Sequence, residues 1–154
     1  MSKPEFVYVI YIEAPQQRVW DALTTGEDTV HFWSRYVQSD WKAGARVEFL
    51  RADKSKLSHD GEVLEIDPPN RLVMTFDVSA EGMREPPSRV TYELSHQQGA
   101  TKLIVTHDQF PPDSEVFKGI SGGWPQILSS MKSYLERGAA MGMTDPSDFN
   151  RSMS

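Results

Sequence analysis

The chain contains no cysteine. Disulfides, thiolate metal sites and cysteine nucleophiles are therefore excluded. No stretch approaches the roughly 20 apolar residues that a membrane-spanning helix needs. The N-terminal MSKPEFVYVIYIEAP lacks a long apolar segment followed by a small-residue cleavage site, so it predicts a strand and not a secretion signal. These readings predict a soluble, cytoplasmic protein. Positive charge is also scarce: the formal net charge is −6, and no Lys/Arg run exceeds two residues. Nucleic acids and anionic membranes both demand a positive footprint, so neither is an expected partner. The four histidines, His31, His59, His96 and His107, show no H-x-x-x-H spacing, and no metal site is expected. No Walker-type glycine loop is present, and no cofactor is expected. Gly119-Ile-Ser-Gly-Gly123 formally matches G-x-S-x-G, but a nucleophile elbow needs a preceding strand and a later histidine. The segment follows a proline-containing loop and no histidine comes after His107, so it reads as a linker.

What the chain does have is a long amphipathic segment near its end. Residues Gly122 to Gly138 read GGWPQILSSMKSYLERG. Trp124, Ile127, Leu128, Met131 and Leu135 recur at i, i+3, i+4, i+7 and i+11, which is one stripe of a helix. Pro125 suits the first turn of such a helix, and Arg137 with Gly138 reads as its stop.

Before this segment the pattern is mostly that of strands. Glu5 to Glu13 alternates, with Phe6, Tyr8, Ile10 and Ile12 on one face. Pro15 opens a short helix that carries Val19, Trp20 and Leu23 and stops before Gly26. Thr29 to Trp33 predicts a second short helix. Strands are then expected over Val37–Trp41, Arg46–Leu50, Gly61–Asp67, Arg71–Ser79, Arg89–Ser95 and Thr101–Phe110. Asp53 to Asp60 reads as a polar loop, and Gln97-Gln98-Gly99-Ala100 as a hairpin connection. Ser114 to Gly119 predicts a short helical turn. Residues 1–138 read as one domain, and 139–154, small and polar, as a poorly ordered tail. With 154 residues, a domain of this kind buries roughly 70% of its unfolded surface. The order is β, two short α, six β, one long α: an α+β antiparallel sheet with its helices on one face.

Four segments carry a family resemblance: Ile12-Glu-Ala-Pro-Gln-Gln-Arg-Val-Trp-Asp-Ala-Leu23, Gly61-Glu-Val-Leu-Glu-Ile-Asp-Pro-Pro-Asn-Arg-Leu72, Thr101-Lys-Leu-Ile-Val-Thr-His107 and Gly123-Trp-Pro-Gln-Ile-Leu128. In this order they resemble the SRPBCC superfamily, START-like and birch-pollen-allergen-like. Within it the chain is similar to the family named after the activator of the heat-shock-protein-90 ATPase. The resemblance implies the helix-grip fold: a curved antiparallel sheet of about seven strands wraps a long C-terminal helix, with two short helices after strand 1. It also implies an elongated apolar cavity between helix and sheet in many members. Roles in the superfamily include lipid, hormone and polyketide binding, cyclase chemistry and a co-chaperone domain, so the scaffold alone names no function.

The expected inner set is rich in bulky side chains: Trp33, Trp41, Phe49, Met74, Phe76, Tyr92, Phe117, Trp124, Ile127 and Met131. Such side chains either fill a core or line a small-molecule pocket. In the pocket reading, Trp124, Ile127 and Met131 form one wall, Phe49, Met74, Phe76, Tyr92 and His107 the other, and Trp33 and Trp41 the mouth. By parity His107 shares the inner face with Leu103 and Val105. It is the leading polar candidate, as a ligand's hydrogen-bond partner, as an acid or base, or as a structural histidine. The first expectation is an unidentified hydrophobic small molecule bound between helix and sheet, in a monomer or homodimer. The alternatives are a co-chaperone-like module acting on a chaperone ATPase and a polyketide cyclase/dehydratase-like enzyme. No convincing catalytic pair supports the last.

Overall fold

In the computed structural model, which describes residues 4–141, the N-terminal alternation forms the first strand, β1 (Phe6–Ile12). Pro15 caps α1 (Gln16–Thr24), whose inner side buries Val19, Trp20, Ala22 and Leu23. Gly26 does not simply follow α1. It opens α2 (Gly26–Trp33), so this helix begins a turn earlier than expected. The side chain of Tyr36 explains the glycine: a Cβ at Gly26 would lie 2.5 Å from its ring.

The remaining strands are β2 (Arg35–Ser39), β3 (Arg46–Arg51), β4 (Leu57–Asp67), β5 (Arg71–Phe76), β6 (Ser88–Gln97) and β7 (Ala100–Asp108). They form a seven-stranded antiparallel sheet in the order β1-β7-β6-β5-β4-β3-β2. At the β6–β7 hairpin Gln98 and Gly99 have φ of 44° and 84°. Two consecutive positive values match the twist of the flanking strands. β4 starts at Leu57, inside the segment expected to be a polar loop. Its early residues Ser58 and His59 are buried, and Phe49 on β3 pairs with His59. Tertiary pairing has here overridden a polar composition.

The last helix, α3, runs from Glu115 to Arg137. The expected linker Gly119–Gly123 and the expected turn at Ser114–Gly119 are its opening turns. Pro125 therefore lies inside the helix and not in its first turn, where it removes the bond to the carbonyl of Ser121. Two features compensate. Ser114 Oγ caps the helix by accepting from Phe117 N at 2.9 Å, and Glu85 accepts from Ser114 Oγ, Glu115 N and Val116 N at 2.6, 2.7 and 3.2 Å. The apolar stripe then buries Trp124, Ile127, Leu128 and Met131. Gly138 ends the helix with φ 78° and donates to Tyr134 O, as the C-terminal stop predicts. Of the expected tail, residues 142–154 lie outside the described residues.

α3 lies against the inner face of the sheet, which presents Val47, Phe49, Val63, Leu72, Met74, Phe76, Val90, Tyr92, Leu94, Leu103 and Val105 to the core, with His107 buried beside them. A second contact closes the helix end of the domain. Arg18 of α1 holds Asp28 of α2 through two hydrogen bonds of 2.9 and 3.0 Å, and Tyr134 Oη donates to the same carboxylate at 2.6 Å. Burial alone would raise the pKa of Asp28, but these donors outweigh it and hold the carboxyl below its ordinary range.

Candidate ligand site

Strand alternation sends every second side chain of the sheet toward α3, and the end of α2 adds Trp33 to the same space. Trp33 meets Phe49, His59 and Trp124 at ring-centroid distances of 4.9, 5.9 and 5.3 Å. Phe76 bridges His59 and His107 at 4.5 and 4.8 Å. Tyr92 meets Trp124 at 6.1 Å with the rings perpendicular. Phe110 continues the chain of rings from His107 to Phe117. Met74, Ile127 and Met131 are buried in the same core, whereas Trp41 and Phe117 are only partly buried against it. Trp41 also holds a left-handed backbone, φ 51°, unusual for a bulky residue.

His107 has both ring nitrogens engaged. Trp124 Nε1 donates to His107 Nδ1 at 3.0 Å, which makes Nδ1 an acceptor. The ring proton of the neutral imidazole is then on Nε2, 2.7 Å from Ser88 Oγ. Burial pushes the His107 pKa down to about 3, so the ring is neutral near pH 7. In this arrangement neither nitrogen is available as an acid or base. The polar candidate chosen by parity is inward, as expected, but it is bonded within the protein.

The available polar atoms are elsewhere. Among the described residues, Trp33 Nε1, His59 Nε2 and Tyr92 Oη are buried without a hydrogen-bond partner. Leaving a buried polar group unsatisfied costs about 1–3 kcal/mol. Both His59 and Tyr92 are held neutral, chiefly by burial: the imidazole pKa is pushed well below its ordinary value and the phenol pKa well above. Sequence reasoning passed over His59 because it lies in the polar run Ser58-His59-Asp60. The parity of Val63, carried back through Gly61, would have turned it inward.

Four open hollows on the surface of the described residues have volumes of about 360–410 Å³. They lie beside Pro15 and Gln16, on the Gln38–Glu48 edge, along Arg46–Thr75 and around Asn70–Ser95, and none is lined by the inner aromatic set. Among the described residues no helix is long and apolar enough to cross a membrane.

A curved seven-stranded antiparallel sheet against one long C-terminal helix, with two short helices after the first strand, defines the helix-grip class. The chain belongs to the family described as Activator of Hsp90 ATPase homolog 1-like protein, whose model matches residues 13–136. No curated protein sequence matches it. Solved structures with the same fold include protein MLL2253 from Mesorhizobium loti, 26% identical with a TM-score of 0.73, covering 86% of this chain and 96% of that one. The Aha1 dimer from Colwellia psychrerythraea is 18% identical with a TM-score of 0.72, covering 88% and 98%. PFC0360w, described as an HSP90 activator from Plasmodium falciparum, is 23% identical with a TM-score of 0.69, covering 85% and 95%.

Proposed function

We propose that this chain binds an apolar small molecule bearing hydrogen-bonding atoms, in the interior between α3 and the sheet. One observation carries the reading: Trp33 Nε1, His59 Nε2 and Tyr92 Oη are buried and unpartnered within a core that is otherwise aromatic and aliphatic. An apolar site with a few convergent polar groups is the usual form of a small-molecule site. Phe49, Phe76, Ile127 and Trp124 supply apolar contact. Trp41 and Phe117, partly buried, stand at its margin. His107 serves by fixing Trp124. Because the inner rings touch one another, the ligand displaces side chains as it enters, and unbranched Met74 and Met131 yield most cheaply.

The test is uptake of N-phenyl-1-naphthylamine, followed by its emission. The wild-type protein is expected to enhance that emission saturably. Met131→Trp, which fills the same space, is expected to abolish the enhancement while the far-ultraviolet circular dichroism is retained. Unchanged uptake in that variant contradicts the proposal.

A second reading, binding of a chaperone partner, rests on the family description and on one surface feature. Val7, Val9 and Tyr11 stand about half exposed in a row on the outer face of edge strand β1. In this reading the chain changes ATP turnover by an Hsp90 homologue and Tyr11→Glu removes the effect. Unaltered turnover in excess protein contradicts it.

A further inference from the structure

Resting on that reading, we propose that the ligand carries a neutral hydroxyl group, alcoholic or phenolic, which accepts from Trp33 Nε1 and donates to His59 Nε2. Ser58 Oγ has one proton, and it goes to Glu81 Oε1 at 2.9 Å. The same oxygen accepts from Arg35 Nε at 2.8 Å. It also lies 3.5 Å from His59 Nδ1. An oxygen whose only proton is committed elsewhere meets that nitrogen favourably only by accepting, which favours the tautomer with the ring proton on Nδ1. A neutral imidazole protonated at Nδ1 presents a lone pair at Nε2.

Burial keeps the ring neutral, and the charge of Arg35 reinforces it. Phe49 stacks on the His59 ring at 4.3 Å and 12°, which fixes the plane and hence the direction of the Nε2 lone pair. The indole of Trp33 can only donate, and its ring centroid is 5.9 Å from that of His59.

The unpartnered pair is therefore one donor and one acceptor on neighbouring rings. A carbonyl or carboxylate satisfies the indole and leaves Nε2 facing a second lone pair. An ammonium satisfies Nε2 and leaves the indole facing a donor. A hydroxyl serves both from a single oxygen. The walls around it are Phe49, Phe76 and Trp124, so the rest of the ligand is apolar and accommodates ring stacking.

The experiment titrates the full chain with naphthalene, 2-methoxynaphthalene and 2-naphthol, and records the indole N–H resonance of Trp33. 2-Naphthol is expected to bind about tenfold tighter, or more, than either relative, because only it both donates and accepts here. It alone is expected to move the Trp33 indole proton downfield. Trp33→Phe and His59→Phe are each expected to bring the three affinities together. Equal affinities in the wild-type protein overturn the hydroxyl assignment and leave the ligand-binding reading standing. Failure of all three to bind removes that reading and this inference with it. The wild-type series reads out the proposal even if a core variant does not fold.

Discussion

Trp124 on α3 donates its indole proton to His107 on β7 at 3.0 Å, a buried polar contact between the long helix and the strand next to the edge of the sheet. The bond sets the His107 tautomer, and Ser88 completes it. His107→Leu removes both partners at once and leaves the indole N–H buried without an acceptor. That orphaned group alone is expected to cost about 1–3 kcal/mol, read as a lower urea midpoint at unchanged slope. An unchanged midpoint contradicts the assignment.

Acid is expected to destabilise the fold well before its carboxylates titrate. His59 and His107 are both held below the ordinary histidine value of 6.5, chiefly by burial. Above that value both rings are neutral in folded and unfolded chains alike. Below it the unfolded chain takes up protons that the native state refuses, so stability falls as pH falls. The slope is about 1.4 kcal/mol per pH unit for each histidine, and for His107 it ends only near its folded value of about 3. Urea midpoints measured between pH 7 and 5 check this, and a flat profile contradicts it. His107→Gln should remove its share of the slope.

Two glycines are expected to respond oppositely to alanine. A Cβ at Gly61 would lie 1.9 Å from the carbonyl oxygen of Thr75, so Gly61→Ala forces β4 and β5 apart. The loss is expected to be about 1–3 kcal/mol or more. At Gly122, exposed on α3, a Cβ would meet nothing. Gly122→Ala is expected to stabilise by about 0.5–1 kcal/mol through helix propensity. Thermal unfolding of the two variants separates them by sign.

Glu85 holds the start of α3 from a distant loop. Its carboxylate accepts from Ser114 Oγ and from the backbone N–H groups of Glu115 and Val116. Glu85→Ala is expected to cost about 1–2 kcal/mol, the range of a lost helix cap. Amide exchange should accelerate in the first turn of α3 and not in its last. Uniform acceleration along the helix would contradict a local capping role.

The stripe Trp124, Ile127, Leu128, Met131 and Leu135 was legible because its spacing is helical; the first four are buried and Leu135 is partly buried against the same core. The true start of that helix was not. Gly119, Gly122, Gly123 and Pro125 all argue locally against a helix, and what outweighs them comes partly from Glu85, 30 residues before Glu115. The inward direction of His107 was legible from alternation with Leu103 and Val105. Its partners were not, since Ser88 and Trp124 stand 19 and 17 residues away along the chain and meet it only once the sheet and helix have closed. The aromatic core was visible as a set. His59 was missed because a polar neighbourhood concealed the strand that turns it inward, and with it went the distinction between a satisfied histidine and an available one.

Ligand uptake at Trp33 and His59 is read from the protein's own tryptophans. The most direct measurement follows the indole N–H resonances of the four tryptophans while 2-naphthol is added. A saturable shift of the Trp33 indole proton is expected, with the largest movement there and little change in the Trp124 proton already held by His107. If no indole resonance moves saturably, the interior does not bind the probe, and ligand uptake between α3 and the sheet is contradicted.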